Sequence, residues 1–296
     1  MFLTRSGRPM IGRLLLLIVV TWMVGNGLMA AFGYTGTPEV KRYNEGKKTA
    51  VVFFTGVQSS GDTHSAAHRE QWSKHGDVVV VEYNREKSDS DKISSETHER
   101  LVGWGYKQIY LIGGSDGGLL ATDLIDYDRN HDSKLEFLAV FMADVPVSAA
   151  DLYDRYLAWV SVAWWPGPFD NKLLTKPFWG FNFKPPTRDE IGKGVDDKLL
   201  EEHYHASSTY PLSGYASEVR HIVMHRDFKD GEYKGIKLVV LQSENDSVVK
   251  KQAAEKWLKI FGNGKIVPIK HSTHVGFIEW PQEWTTGFNQ AFELAA

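Results

Sequence analysis

The run Ile109-Tyr110-Leu111-Ile112-Gly113-Gly114-Ser115-Asp116-Gly117-Gly118-Leu119-Leu120 constrains this chain more than any other part of it. An apolar, β-rich segment enters a serine flanked by glycines, and a helix-forming segment leaves it. Gly113 and Gly117 bracket Ser115 in the spacing G-x-S-x-G. Presenting a serine on so tight a strand-to-helix turn forces strained backbone angles, and side chains two positions either side would collide with it. The same turn aims the amide of Asp116 at the place where an oxyanion would form.

A serine of this kind needs an acid and a histidine later in the chain, each following a strand. Ile236 to Gln242 reads as a buried strand from its short β-branched apolar run, and Ser243-Glu244-Asn245-Asp246-Ser247-Val248-Val249 follows it. Lys265 to Ile269 is the last candidate strand, followed by His271-Ser272-Thr273-His274-Val275-Gly276-Phe277-Ile278-Glu279-Trp280-Pro281.

On these three segments the chain resembles the α/β-hydrolase family. The elbow G-G-S-D-G-G is similar to the family's G-x-S-x-G-G. S-E-N-D-S-V-V is similar to its acid loop, and T-H-V-G-F-I-E-W-P to its histidine loop, with Glu and Pro five and seven positions after the histidine. The resemblance covers roughly residues 48 to 294, with a divergent middle. It implies a mostly parallel sheet flanked by helices, with an inserted lid. It implies Ser115 as nucleophile, His274 as base and Asp246 as the acid that orients it. The oxyanion donors would be the backbone amides of Asp116 and Val57. The family places the second donor after a His-Gly pair, where this chain has Thr55-Gly56.

Other assignments stay open at this point. Asp246 could cap a helix expected over Val248 to Ile260. Asp144, after the apolar run Leu138 to Met142, is a rival acid, and His271 a rival histidine. The expected boundaries are a signal anchor or signal peptide over 1–33, a linker over 34–47, a core over 48–144 and 236–296, and a lid over 145–235. Helices are expected over Ser65 to His75 and over the charged stretch Arg188 to Glu202. Four valines, Val78 to Val81, suit a strand buried on both faces.

The reading that follows is a serine hydrolase forming an acyl-enzyme from an ester, thioester or amide. Alternatives are a prolyl-aminopeptidase-like peptidase, with Glu201 or Glu202 holding the substrate amine, a haloperoxidase-like member of the fold, or a non-catalytic binding module. Trp159, Trp164, Trp165, Phe178 and Trp179 are expected to line an apolar pocket for a small molecule with an apolar acyl or alcohol part. A net charge of −3 points to no nucleic-acid partner, and the absence of cysteine removes thiol chemistry and Cys-based metal sites. No cofactor is expected. His64 and His68, and His221 and His225, share the i, i+4 spacing of metal ligands, but neither pair has the adjacent glutamate of H-E-x-x-H. Exposed or lid-packed histidines are the expectation, with no metal.

Arg5, Arg8 and Arg13 precede an uncharged apolar run from Leu14, interrupted at Gly25-Asn26-Gly27 and resumed through Phe32. Read whole, it is a single-pass membrane anchor with the catalytic part outside the cytoplasm. Read to Val24, it is a cleaved signal giving a secreted or periplasmic enzyme.

Overall fold

The computed structural model describes residues 37–83, 88–131, 134–154, 187–210, 212–274 and 276–296, together with residues 12, 16, 17, 20, 21 and 24. In chain order these form β1 (Glu39–Arg42), β2 (Thr49–Phe54), α1 (Gly61–Ala66), α2 (Arg69–Trp72), β3 (Asp77–Glu82), α3 (Ser90–Gly103), β4 (Gln108–Gly114), α4 (Asp116–Asn130) and β5 (Glu136–Ala143). There follow α5 (Asp197–Ser208), α6 (Leu212–Met224), β6 (Lys237–Ser243), α7 (Gln252–Phe261), β7 (Lys265–Ile269), α8 (Gly276–Glu279) and α9 (Pro281–Ala295).

The strands build one sheet in the order β1-β3-β2-β4-β5-β6-β7. All neighbours run parallel except β1, which pairs antiparallel with β3. The central strands are β-branched and apolar because helices cover both faces. Alternate residues feed two separate cores: Val52, Phe54, Val79 and Val81 one, Val51, Phe53, Val78 and Val80 the other. The last helix, α9, closes the second core with Trp284, Phe288 and Phe292.

Chain order reverses between β2 and β4, which are neighbours in the sheet. Open sheets of this kind bind ligands at such a switch point, beyond the carboxyl ends of the strands. Gly56 and Val57 follow β2 there, and Ser115 follows β4. Asp144, Asp246 and His274 follow β5, β6 and β7 in turn.

Several expectations need correction. Residues 39–42 lie in the segment expected as a linker, yet they form β1, because Val40 packs against the first core and the strand registers on Val79 to Glu82. The helix expected over Ser65 to His75 breaks into α1 and α2 at Ala67 and His68. The stretch Arg188 to Glu202 holds a short 3₁₀ turn, Arg188–Glu190, before α5 begins. The helix expected from Val248 starts at Gln252. Within the expected lid range, α5 and α6 are described and residues 155–186 are not, so the aromatic positions Trp159, Trp164, Trp165, Phe178 and Trp179 lie outside the described residues. Most of 1–33 does too. Among the described residues no helix is long and apolar enough to cross a membrane.

Candidate active site

Ser115 sits between β4 and α4 at φ 51° and ψ −124°, a conformation sparsely populated for any residue with a side chain. Its N–H donates across to the Ala143 carbonyl at the end of β5 at 2.8 Å, and the turn is closed by the Gly118 N–H donating to the Ser115 carbonyl at 3.0 Å. Its glycines answer a steric demand. A Cβ on Gly117 would stand 2.2 Å from the Phe54 carbonyl oxygen, and one on Gly113 2.4 Å from the Gly118 Cα.

Three side chains from three loops meet here. His274 Nε2 lies 3.0 Å from Ser115 Oγ, and His274 Nδ1 lies 2.9 Å from Asp246 Oδ2. The other carboxylate oxygen of Asp246 accepts the amides of Val248 at 2.7 Å and Val249 at 2.9 Å. One carboxylate therefore caps its local turn and faces the imidazole at once. Burial by itself would raise the Asp246 pKa, but the charge and hydrogen bond of His274 and the two amides outweigh it and hold it low. Burial would likewise depress His274. The charge and hydrogen bond of Asp246, with the charge of Asp144, win and raise its pKa.

The rival residues have other places. His271 is exposed, and its N–H donates to Glu244 at 3.2 Å. Asp144, at φ 51°, accepts the Ser243 N–H at 2.8 Å and the Ser243 hydroxyl at 2.5 Å. One of its carboxylate oxygens still lies within 4.8 Å of a carboxylate oxygen of Asp246 and a ring nitrogen of His274. Burial, then the charge of Asp246, pushes Asp144 up to about 7. Glu201 and Glu202 are exposed and line no part of the cavity at Ser115.

That cavity measures about 130 Å³, and Gly56 and Val57, from the loop expected to supply the second oxyanion donor, lie on its wall with Ser115. Asp116 is the first residue of α4, so its N–H has no intrahelical acceptor. Val57 precedes Gln58, which is held at φ 62°. The Gln58 N–H donates to Glu218 at 2.8 Å, and its side-chain amide donates to the Ser207 carbonyl at 2.7 Å. Glu218 is buried and also accepts the Tyr210 hydroxyl at 2.5 Å. One turn further along α6, His221 Nδ1 lies 2.8 Å from Asp116 Oδ1. The helix α6 thus grips both segments that carry the candidate oxyanion amides.

Of the histidines expected to be exposed or lid-packed, His64, His68 and His203 are buried, and His203 packs on His64 from the expected lid range. His64 Nε2 lies 3.1 Å from His203 Nδ1, and both rings line the cavity. Burial holds His64 well below the ordinary imidazole value and His203 at about 4, so the pair is neutral beside His274. His68 Nε2 lies 3.0 Å from the Phe277 carbonyl, tying α2 to the histidine loop. Glu279, legible in sequence only as a motif position, accepts Thr273 and Tyr204 hydroxyls at 2.5 Å each and fixes the residue before His274. Nothing local in sequence marks Glu218, His203 or Asp123, because each acts on a residue about a hundred or more positions away.

Among solved structures, the chain is similar to an enol-lactonase from Burkholderia xenovorans LB400, with a TM-score of 0.66 at 14% identity over 86% of this chain and 96% of that one. A carboxylesterase from the thaumarchaeon Nitrososphaera gargenis gives 0.64 at 12% identity, over 87% and 94%. A bromoperoxidase from Bacillus anthracis gives 0.60 at 15% identity, over 87% and 94%. The chain has the α/β-hydrolase fold. No family model and no curated protein matches it in sequence. An α/β-hydrolase fold hosts many chemistries, and it is the residues at the mouth of the sheet that set which one a chain performs.

Proposed function

We propose that the chain is a serine hydrolase that opens an ester, thioester or amide through an acyl-enzyme. The observation that carries this reading is the hydrogen-bonded line Ser115–His274–Asp246, with Ser115 on a strained elbow. Ser115 Oγ attacks the substrate carbonyl carbon as His274 Nε2 takes its proton. Asp246 holds the proton of Nδ1 and stabilises the imidazolium that forms. The negative charge on the carbonyl oxygen meets the amides of Asp116 and Val57. Collapse expels the leaving group, which receives the proton from His274. Water, activated by the same imidazole, then releases the acid and restores Ser115.

A cavity of about 130 Å³ is below the ordinary ligand-pocket range of roughly 300–1,000 Å³. It supports a short group on the acyl side, set against Phe277, Val248 and the neutral His64–His203 pair. The residues of 1–33 carry a second part of the reading: arginines ahead of an uncharged run support export or anchoring of the catalytic part. Fractionating the native host tests that part, a purely cytosolic full-length chain being the contrary result.

Labelling with a fluorophosphonate probe, followed by a panel of esters of increasing acyl length, tests the reaction. Covalent labelling of Ser115 and turnover of short esters are expected. A chain that neither labels nor turns over any ester, thioester or amide overturns the reading.

A further inference from the structure

We propose that Asp123, His221 and His225 form a binding site for a divalent metal ion of the zinc class, clamping α6 to the helix that follows the nucleophile. His221 lies in the last turn of α6 and His225 just past its end, so both imidazoles face the same neighbour. That neighbour is Asp123 on α4, some 98 and 102 positions away in sequence. Its Oδ2 lies 2.9 Å from His221 Nε2, and its Oδ1 lies 3.0 Å from His225 Nε2.

The remaining ring nitrogens are engaged as well. His221 Nδ1 lies 2.8 Å from Asp116 Oδ1, and His225 Nδ1 lies 3.2 Å from the Arg226 carbonyl oxygen. All four nitrogens therefore face oxygen acceptors. Each Nδ1 has its own acceptor, so with the ring protons there both Nε2 lone pairs and the Asp123 carboxylate converge as the donor set of one dication. Without an ion, burial would depress His221, but the charges and hydrogen bonds of Asp116 and Asp123 outweigh it and raise His221 to about 10, so the dication takes the place of a proton.

The arrangement around the rings fits such an ion. Metal-binding histidines almost always donate their other N–H to a carboxylate or a backbone carbonyl, and Asp116 and Arg226 supply one of each. Two imidazoles and one carboxylate suit zinc and its neighbours, whereas calcium and magnesium prefer oxygen throughout. The ligand atoms all lie within 4.8 Å of one another. Bonds of about 2.0–2.2 Å to a shared ion would draw these atoms closer together. The His221, His225 and Asp123 side chains are 13%, 4% and 20% exposed, so the site is enclosed with its opening at Asp123. Asp123 edges a cleft of about 680 Å³ in which Arg226 pairs with Asp126 and Glu232, and Asp91 lies alongside. The adjacent-glutamate pattern sought in sequence misses this set because the third ligand comes from another helix.

The test uses the full chain, purified without a histidine tag and stripped by chelator. His274→Ala serves as the background, since Asp144, Asp246 and His274 form another group of potential ligands. Titration with cobalt(II) is expected to give one bound ion with the intense visible bands of four-coordinate cobalt, displaced by one equivalent of zinc. Asp123→Asn and His225→Asn should each abolish those bands, and Asp116→Asn should weaken zinc binding about 10–100-fold by freeing the His221 ring. Circular dichroism identifies a variant that has failed to fold, and the other two then decide. Cobalt binding that is absent, or unchanged in the folded variants, overturns the proposal. The readout is metal binding, so it stands or falls independently of hydrolytic activity.

Discussion

Glu218 accepts the backbone N–H of Gln58 at 2.8 Å, although 160 positions separate the two residues. The contact fixes the segment after β2 at a left-handed Gln58, directly behind Val57, the candidate second oxyanion donor. Glu218→Ala should therefore lower kcat with KM nearly unchanged. A loss of about 10–100-fold is expected, less than the removal of a donor outright, because the amide is displaced but not lost. Glu218→Gln keeps an acceptor oxygen and should recover much of the rate. Steady-state kinetics on a short ester checks both. An increase in KM alone would assign Glu218 to substrate binding.

Replacing the candidate nucleophile gives the most direct comparison. Ser115→Ala should abolish fluorophosphonate labelling and lower turnover by at least about 10³-fold, with His274→Ala close behind, since such residues act as a unit. Asp246→Asn should cost somewhat less. His271→Ala should leave turnover near that of the parent, because its side chain is exposed.

The pH profile carries a sign that follows from the site. His274 must be neutral to accept the Ser115 proton, and its pKa is raised above the ordinary imidazole value of 6.5. Activity should accordingly be present above that raised pKa and lost as pH falls through it. Asp246→Asn removes the charge and changes the hydrogen bond that raise it, so the acid limb of kcat/KM should move down. Asp144→Asn removes a second, lesser negative charge and should move it the same way by less. A limb that stays fixed in both variants would mean another group controls it.

Gly117→Ala should destabilise the fold by about 3 kcal/mol or more, the size expected of overpacking and strain at a special backbone position. Its Cβ would meet the Phe54 and Thr55 carbonyl oxygens at 2.2 and 2.4 Å, and neither can give way without moving β2. Thermal unfolding measures the loss, and Gly103→Ala, whose Cβ would meet nothing within 4 Å, is the matched control.

What could be read from sequence had local causes. The segments carrying Ser115, Asp246 and His274 each follow a short apolar strand, and each has its own pattern within a few residues, so periodicity and spacing mark them. The burial of Val78 to Val81 on both faces was legible for the same reason. β1 was not, because Glu-Val-Lys-Arg has one apolar residue and gains its pairing only from β3. Nor was the role of α6. Glu218 carries no mark in sequence, and the i, i+4 spacing of His221 and His225 does not name their partners, until the fold sets Gln58, Asp116 and Asp123 against them.

The two borders of the sheet have a consequence for how copies of this chain can meet. At one border, β1 is four residues long and carries Glu39, Lys41 and Arg42, with Lys41 paired to Asp62. At the other, β7 presents Pro268, which has no N–H to offer a further strand, beside an exposed Lys265. Short charged strands and edge prolines discourage a second chain from continuing a sheet. Among the described strands, self-association by adding strand to strand is thereby disfavoured at both ends, and crowding or partial heating should drive aggregation from the helical layers before it does so from the sheet.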